Sequence, residues 1–295
     1  MRFELAGSLV RPDPLVIKFN SNQNFEPQKY IDLGYTHFDV ICIGGGGGMG
    51  GGIDTQNTGT LVRNYGGAGG GGGFHRVRGL LSALPALVPV VVGAGGALGV
   101  EHSSNPANTT NGGDGGYSSF NSDAQPTCRA SGGQGGRRAQ SNSLTVTTQA
   151  HGGAGGIGNR TAVGGGGAGG VAGTPSATGP GISGTAGVDG TLFQNIGQGG
   201  GGGAGGVGKY GSGGVTCNAS TAGGRGAYNP GDTSVYGPGD TPGTDPASGS
   251  QNVVPGGASG AKASPLNGLP HIYGQSKGER LAGDPGTVIL RLTAE

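Results

Sequence analysis

The side chains able to do chemistry in this 295-residue chain are three cysteines, five histidines and sixteen carboxylates, and their spacing organises little of it. Cys42, Cys128 and Cys217 contain no CxxC pair, so neither a zinc site nor a secreted disulfide framework is expected. Cys42 lies in an apolar run and reads as a small buried hydrophobe; Cys128 and Cys217 are the two that could pair. His37, His75, His102, His151 and His271 are scattered, none at metal-ligand spacing, and are expected to be solvated or stacked where glycine segments end. "DGG" at Asp114 and the acids Asp232, Asp240 and Asp245 offer oxygens to a calcium ion, but irregularly, and turn formation explains them as well. No paired carboxylates and no nucleophile elbow are visible, so no catalytic residue and no cofactor is expected.

Two stretches imitate phosphate-binding loops. "FDVICIGGGGGMGGG", residues 38–52, holds G-x-G-x-x-G at Gly45, Gly47 and Gly50 after an apolar strand. A dinucleotide fold then needs a helix and an acid about 20 residues on, whereas more glycine follows and Asp54 comes too early. "GAGGVGKY", residues 203–210, has P-loop spacing, but Tyr210 stands where magnesium needs Ser or Thr, and no apolar strand precedes it. A Lys209–Tyr210 pair closing a glycine block is the simpler reading.

Glycine dominates what must position these residues. Gly and Pro together fill 93 of 295 positions, while charged residues make up 11% and the formal net charge is +1. The low charge excludes a basic stripe for nucleic acid and also the usual charge-driven route to disorder. The uncharged run 79–100 is long enough for a membrane span, but Pro85 and Pro89 break it; it reads as a turn feeding a strand over 87–93, and no membrane span is expected. The start, "MRFELAGSLVRPD", is charged at Arg2, Glu4 and Arg11 and shows no apolar signal region, so manufacture in a cytoplasm is expected.

Strand signals lie at the ends: "LVIKF", "FDVICI" and the alternating "GTVILRLTA". Between them, glycine blocks alternate with polar connections such as 101–111, 118–131 and 228–250. The best helical candidate, "RVRGLLSALPAL", is interrupted by proline. With too little apolar material for a core, the blocks need lateral packing of bare backbones, which the extended three-residue-per-turn conformation allows. Segments with glycine on all faces belong inside; those interrupted by Ala68, Ala94, Ala154, Ala168, Ala204 or Val207 belong at an edge. Collagen is excluded, because no sustained G-x-y repeat occurs.

The expected fold is all-β: a jelly-roll or tumour-necrosis-factor-like sandwich made by the chain ends, with an inserted bundle of polyglycine II-like helices. The corresponding division is 1–43, strands and attachment; 44–270, the glycine-rich bundle with its display loops; and 271–295, the closing strand. Tyr117, Phe120, Tyr210, Arg225, Tyr228 and Tyr236 are the candidate contact residues for a partner or sugar, since aromatic and basic groups in polar loops favour recognition.

The order "KYIDLGYTHFDVICIGGGGGMGGG", "GGAGGGGGFHRVRG", "VPVVVGAGG", "GGDGGYSSF" and a final "GTVILRL" resembles the glycine-rich minor tail proteins of long-tailed bacteriophages, particularly those of actinobacteria. The resemblance spans about residues 28–292. It implies a non-enzymatic virion component of the tail tip or fibres, a homotrimer in contact with other tail or baseplate proteins. Its loops would face the host surface, with cell-wall glycan as a receptor. A purely structural minor tail subunit without receptor contact is the alternative.

Overall fold

The computed structural model describes residues 11–48, 50–57, 60–64, 69–100, 108–121, 128–138, 192–193, 196–197, 207–210, 282–283 and 285–295. The described elements make an all-β protein. In chain order they are β1 (Leu15–Phe19), β2 (Gln23–Phe25), the short helix α1 (Pro27–Ile31), β3 (His37–Ile43), β4 (Ile53–Asn57), β5 (Thr60–Asn64) and β6 (Phe74–Leu80). A 3-10 turn (Leu81–Ala83) follows, then β7 (Val88–Val91), β8 (Ser118–Phe120), β9 (Cys128–Ala130), β10 (Leu192–Phe193), β11 (Ile196–Gly197), β12 (Val207–Tyr210) and β13 (Thr287–Thr293). Three antiparallel sheets result, ordered β1-β13-β3-β6-β11-β10, β2-β7-β8-β9 and β12-β5-β4.

Strand β13, "TVILRLT", lies between β1 and β3 in the largest sheet, with Leu290 opposite both Ile17 of β1 and Val40 of β3. Val288, Leu290 and Leu292 then share one face with Phe38, Val40 and Cys42. That face meets Phe25, Val88, Val90, Phe120, Cys128 and Ala130 of the four-stranded sheet, and the two sets form one buried core. Phe120 lies at its centre, 5.8 Å from the Phe25 ring and 5.9 Å from the Phe38 ring. Helix α1 begins on Pro27, which supplies a preset φ. It ends in a turn where Gly34 takes φ +92°, a conformation open to glycine.

Three of the expected strands are present with nearly the expected limits, and the strand read over 87–93 occurs as Val88–Val91 in the second sheet. As the proline in "RVRGLLSALPAL" implies, no α-helix forms there: Arg76–Leu80 belong to strand β6, where Arg76 and Arg78 alternate with half-buried Val77, and Leu81–Ala83 make the 3-10 turn. One expectation is corrected. The supposed loop 118–131 contains β8 and β9, whose Ser118, Ser119, Phe120, Cys128 and Ala130 are all buried.

Glycine segments continue six of the core strands from one end of the core. Segment 44–48 follows β3, 69–73 leads into β6, 93–100 follows β7, 110–116 leads into β8, 131–138 follows β9, and Gly283 and Gly286 precede β13. Backbone hydrogen bonds join them at three-residue intervals. Gly44 and Gly47 donate to Gly73 and Gly70; Gly45, Gly48 and Gly51 donate to Gly116, Gly113 and Thr110. Gly133 and Gly136 donate to Gly45 and Gly48, and Gly113 and Gly116 donate to Ala97 and Ala94.

Burial follows the same period. Residues 44–48 and 69–73 are buried throughout, whereas 93–100 buries Gly93, Gly96 and Gly99 and exposes Ala94, Ala97 and Val100. Glycine is required inside: a Cβ on Gly44 or Gly47 would overlap the carbonyl oxygen of Ser131 or Gln134. No helix among the described residues is long and apolar enough to cross a membrane.

Candidate functional site

The three-residue period brings polar side chains into a row. In "NGGDGGY" it exposes Asn111, Asp114 and Tyr117; in "SGGQGGR" it exposes Gln134 and Arg137. The two segments run antiparallel, joined by Gly112 N–H to Gly136 O (2.9 Å) and Gly115 N–H to Gly133 O (2.8 Å). Asn111, Gly112, Asp114, Gln134, Gly135 and Arg137 line a groove of about 300 Å³ between them.

Part of this row holds the segments in register. Asp114 Oδ1 accepts from Gly135 N–H at 2.8 Å, and Asn111 Oδ1 accepts from Arg138 N–H at 2.9 Å. The Arg138 guanidinium donates to Thr109 O at 2.9 Å. The rest faces outward: the Arg137 guanidinium and the Gln134 amide have no protein hydrogen-bond partner among the described residues. At the end of the row, Tyr117 is 40% exposed, and Arg129 Cζ of edge strand β9 lies 4.0 Å from its ring centroid.

Two further polar clusters lie in the β-structure. Asp39 receives Arg76 Nε at 2.8 Å, the Arg76 terminal nitrogen, and Arg78 Nε at 2.9 Å. Burial raises its pKa, but the hydrogen bonds and charges of Arg76 and Arg78 outweigh that and hold the carboxyl below its ordinary value.

Between the sheets, Cys42 Sγ donates to Cys128 O at 3.4 Å, Cys128 Sγ donates to His75 O at 3.1 Å, and His75 Nδ1 accepts from Arg129 N–H at 3.1 Å. Burial, with the neighbouring Cys128, pushes the Cys42 thiol well up. Both thiols are fully buried, so this cluster ties the sheets together rather than meeting a substrate.

The expected site residues divide accordingly. Tyr117 is at the surface, in the row. Phe120 is corrected from contact candidate to core residue: it is 0% exposed and packed among aromatic rings. Tyr210 ends β12, and its side chain lies outside what is described; Arg225, Tyr228 and Tyr236 lie outside the described residues. Cys128 is a buried thiol directed at the Cys42 and His75 strands; Cys217, the pairing considered for it, lies outside the described residues. His75 is buried rather than solvated. Asp114 serves as an acceptor for Gly135, while Asp232, Asp240 and Asp245 lie outside the described residues.

Asn111, Gln134 and Arg137 were missed. Their signal is short: two turns of x-G-G in each segment, too few to stand out as a repeat in so much glycine.

An antiparallel β core extended by laterally bonded glycine backbone defines a glycine-rich β-protein. Residues 24–293 match the family model described as a glycine-rich domain, and the chain belongs to that family. No match to a curated protein was found.

Proposed function

We propose that this chain is a non-enzymatic component of a bacteriophage tail tip or fibre that attaches the virion to the bacterial surface. The reading includes a jelly-roll-like sandwich bearing a bundle of polyglycine II-like helices, in a homotrimer held among other tail or baseplate proteins. The observation that carries it is the polar row of Asn111, Asp114, Tyr117, Gln134 and Arg137 on backbone bonded to its neighbours every three residues. Such a support orders the backbone beneath these side chains before binding and so lowers the ordering cost of recognition. Three residues per turn is the period of the extended helix, which supports the polyglycine II description. Tyr210, Arg225, Tyr228 and Tyr236 are the further contacts of this reading, and cell-wall glycan is its receptor.

The test is binding of the purified oligomer to intact actinobacterial cells. Saturable binding that Tyr117→Ala or shortening of loop 228–250 reduces, with unchanged melting, supports attachment. Absence of binding by the folded oligomer rejects it.

A second reading, a structural tail subunit without receptor contact, is favoured by exposed Leu33, Leu80, Leu87, Leu98 and Val100. These are apolar side chains of the kind that neighbouring subunits cover. Their protection on assembly, with no cell binding, would select that reading.

A further inference from the structure

We infer that the groove between segments 110–116 and 131–138 is a binding site for a linear acidic polysaccharide, laid parallel to the glycine segments. The inference deepens the attachment reading and rests on it only for the biological source of the polymer. The groove and its chemistry stand on their own.

Two features select a polymer with a repeat. At three residues per turn and 3.1 Å per residue, successive exposed positions on one segment stand about 9 Å apart. Asn111, Asp114 and Tyr117 are therefore rungs at one fixed interval, and Gln134 and Arg137 repeat it on the neighbouring segment. Two linked pyranose rings span a comparable length, so successive sugar pairs of a chain laid along the groove come level with successive rungs. The segments are also cross-bonded on either side of Asp114, by Gly112 to Gly136 and Gly115 to Gly133, which keeps the rungs in register.

The rung chemistry selects a hydroxyl-rich, acidic ligand. Gln134 offers both an amide donor and an acceptor, and Asp114 has a second carboxylate oxygen beyond the one bonded to Gly135. These suit sugar hydroxyls. Arg137 lines the groove with a guanidinium that no described protein group engages, and Asp114 already accepts a backbone N–H. A carboxylate on the polymer supplies the planar partner that guanidinium favours. Tyr117 ends the row with an exposed ring edge and hydroxyl, backed by Arg129.

Calorimetry on the full-length protein tests this with three probes: a hexasaccharide of alternating uronate and N-acetylhexosamine, the corresponding disaccharide, and a neutral N-acetylhexosamine hexasaccharide. The acidic hexasaccharide is expected to bind at least about tenfold tighter than either other probe, one charge-assisted contact or one added rung being worth about that factor. Arg137→Ala should remove the preference for the acidic probe, and Gln134→Ala should weaken both hexasaccharides; both positions are exposed, and unchanged melting verifies the fold.

Equal affinity for disaccharide and hexasaccharide, binding indifferent to both substitutions, or no binding of any probe overturns the inference. The two readings fail separately. Cell attachment that survives loss of oligosaccharide binding rejects the groove as the receptor site and leaves attachment standing. Oligosaccharide binding by a protein that ignores cells does the reverse.

Discussion

The β core and the glycine segments that grow from it solve the same problem with opposite materials. In the core, Phe38, Phe120, Leu290 and their neighbours exclude water, and side-chain volume sets the distance between the sheets. In the glycine segments no side chain separates the backbones, and hydrogen bonds such as Gly47 to Gly70 and Gly48 to Gly113 hold them directly. The core tolerates exchange among apolar shapes, because area and volume are what count there. The segments tolerate no added atom inside, because the space a Cβ needs belongs to a neighbour's carbonyl oxygen. Specificity in the core lies in side chains; in the segments it lies in their absence.

This contrast is broken most strongly by Gly44→Ala combined with Gly47→Ala. Both new methyls would displace segment 131–138 and with it the hydrogen bonds to Gly45 and Gly48. The loss is expected to exceed about 4 kcal/mol, from overpacking plus about 1 kcal/mol for each bond broken. Thermal unfolding would read it, against Ala97→Ser at an exposed position of the same bundle, which should shift stability by less than about 0.5 kcal/mol.

Next comes Phe120→Ala, which leaves a cavity beside the Phe25 and Phe38 rings and should cost about 3–5 kcal/mol in denaturant titration. If the loop expectation for this residue were right, the cost would be near zero.

A smaller effect is expected at Asp39, where Asp39→Asn should destabilise the protein by about 2 kcal/mol at neutral pH, discounted for the exposed Arg78 side. The Asp39 pKa is depressed on folding, so its contribution is complete above the unfolded value near 3.8 and disappears as pH falls through the lower folded value. Wild-type and Asn variant stabilities should therefore converge in that acid window, and a gap that persists below it would contradict the ion cluster.

The least effect on stability, within about 0.5 kcal/mol, is expected for Tyr117→Ala, whose exposed ring bears on binding rather than folding.

Much of the core was legible because "TVILRLT" and "HFDVICI" are strongly apolar and read as strands, although Ile41, Ile43 and Ile289 are buried on the opposite face as well. Strand β6 was obscured by two arginines and a glycine, whose meaning depends on Asp39 lying across the sheet. Strands β8 and β9 are three residues each, and serines fill buried places there, so local composition resembled a loop.

The candidate row was half visible. Tyr117 announced itself by type, but Asn111, Gln134 and Arg137 matter only because segments 110–116 and 131–138 lie side by side, a pairing no local pattern encodes. The Cys42, Cys128 and His75 cluster was invisible for the same reason: its members come from three strands in two sheets.

The most direct test of the central claim is residue-resolved amide hydrogen exchange across residues 110–116. Thr110, Gly112, Gly113, Gly115 and Gly116 donate to neighbouring segments, whereas Asn111 and Asp114 donate to no described group. Slow exchange should therefore be interrupted by fast exchange at Asn111 and Asp114, three residues apart. Uniformly fast exchange, or protection alternating every two residues, would contradict the account.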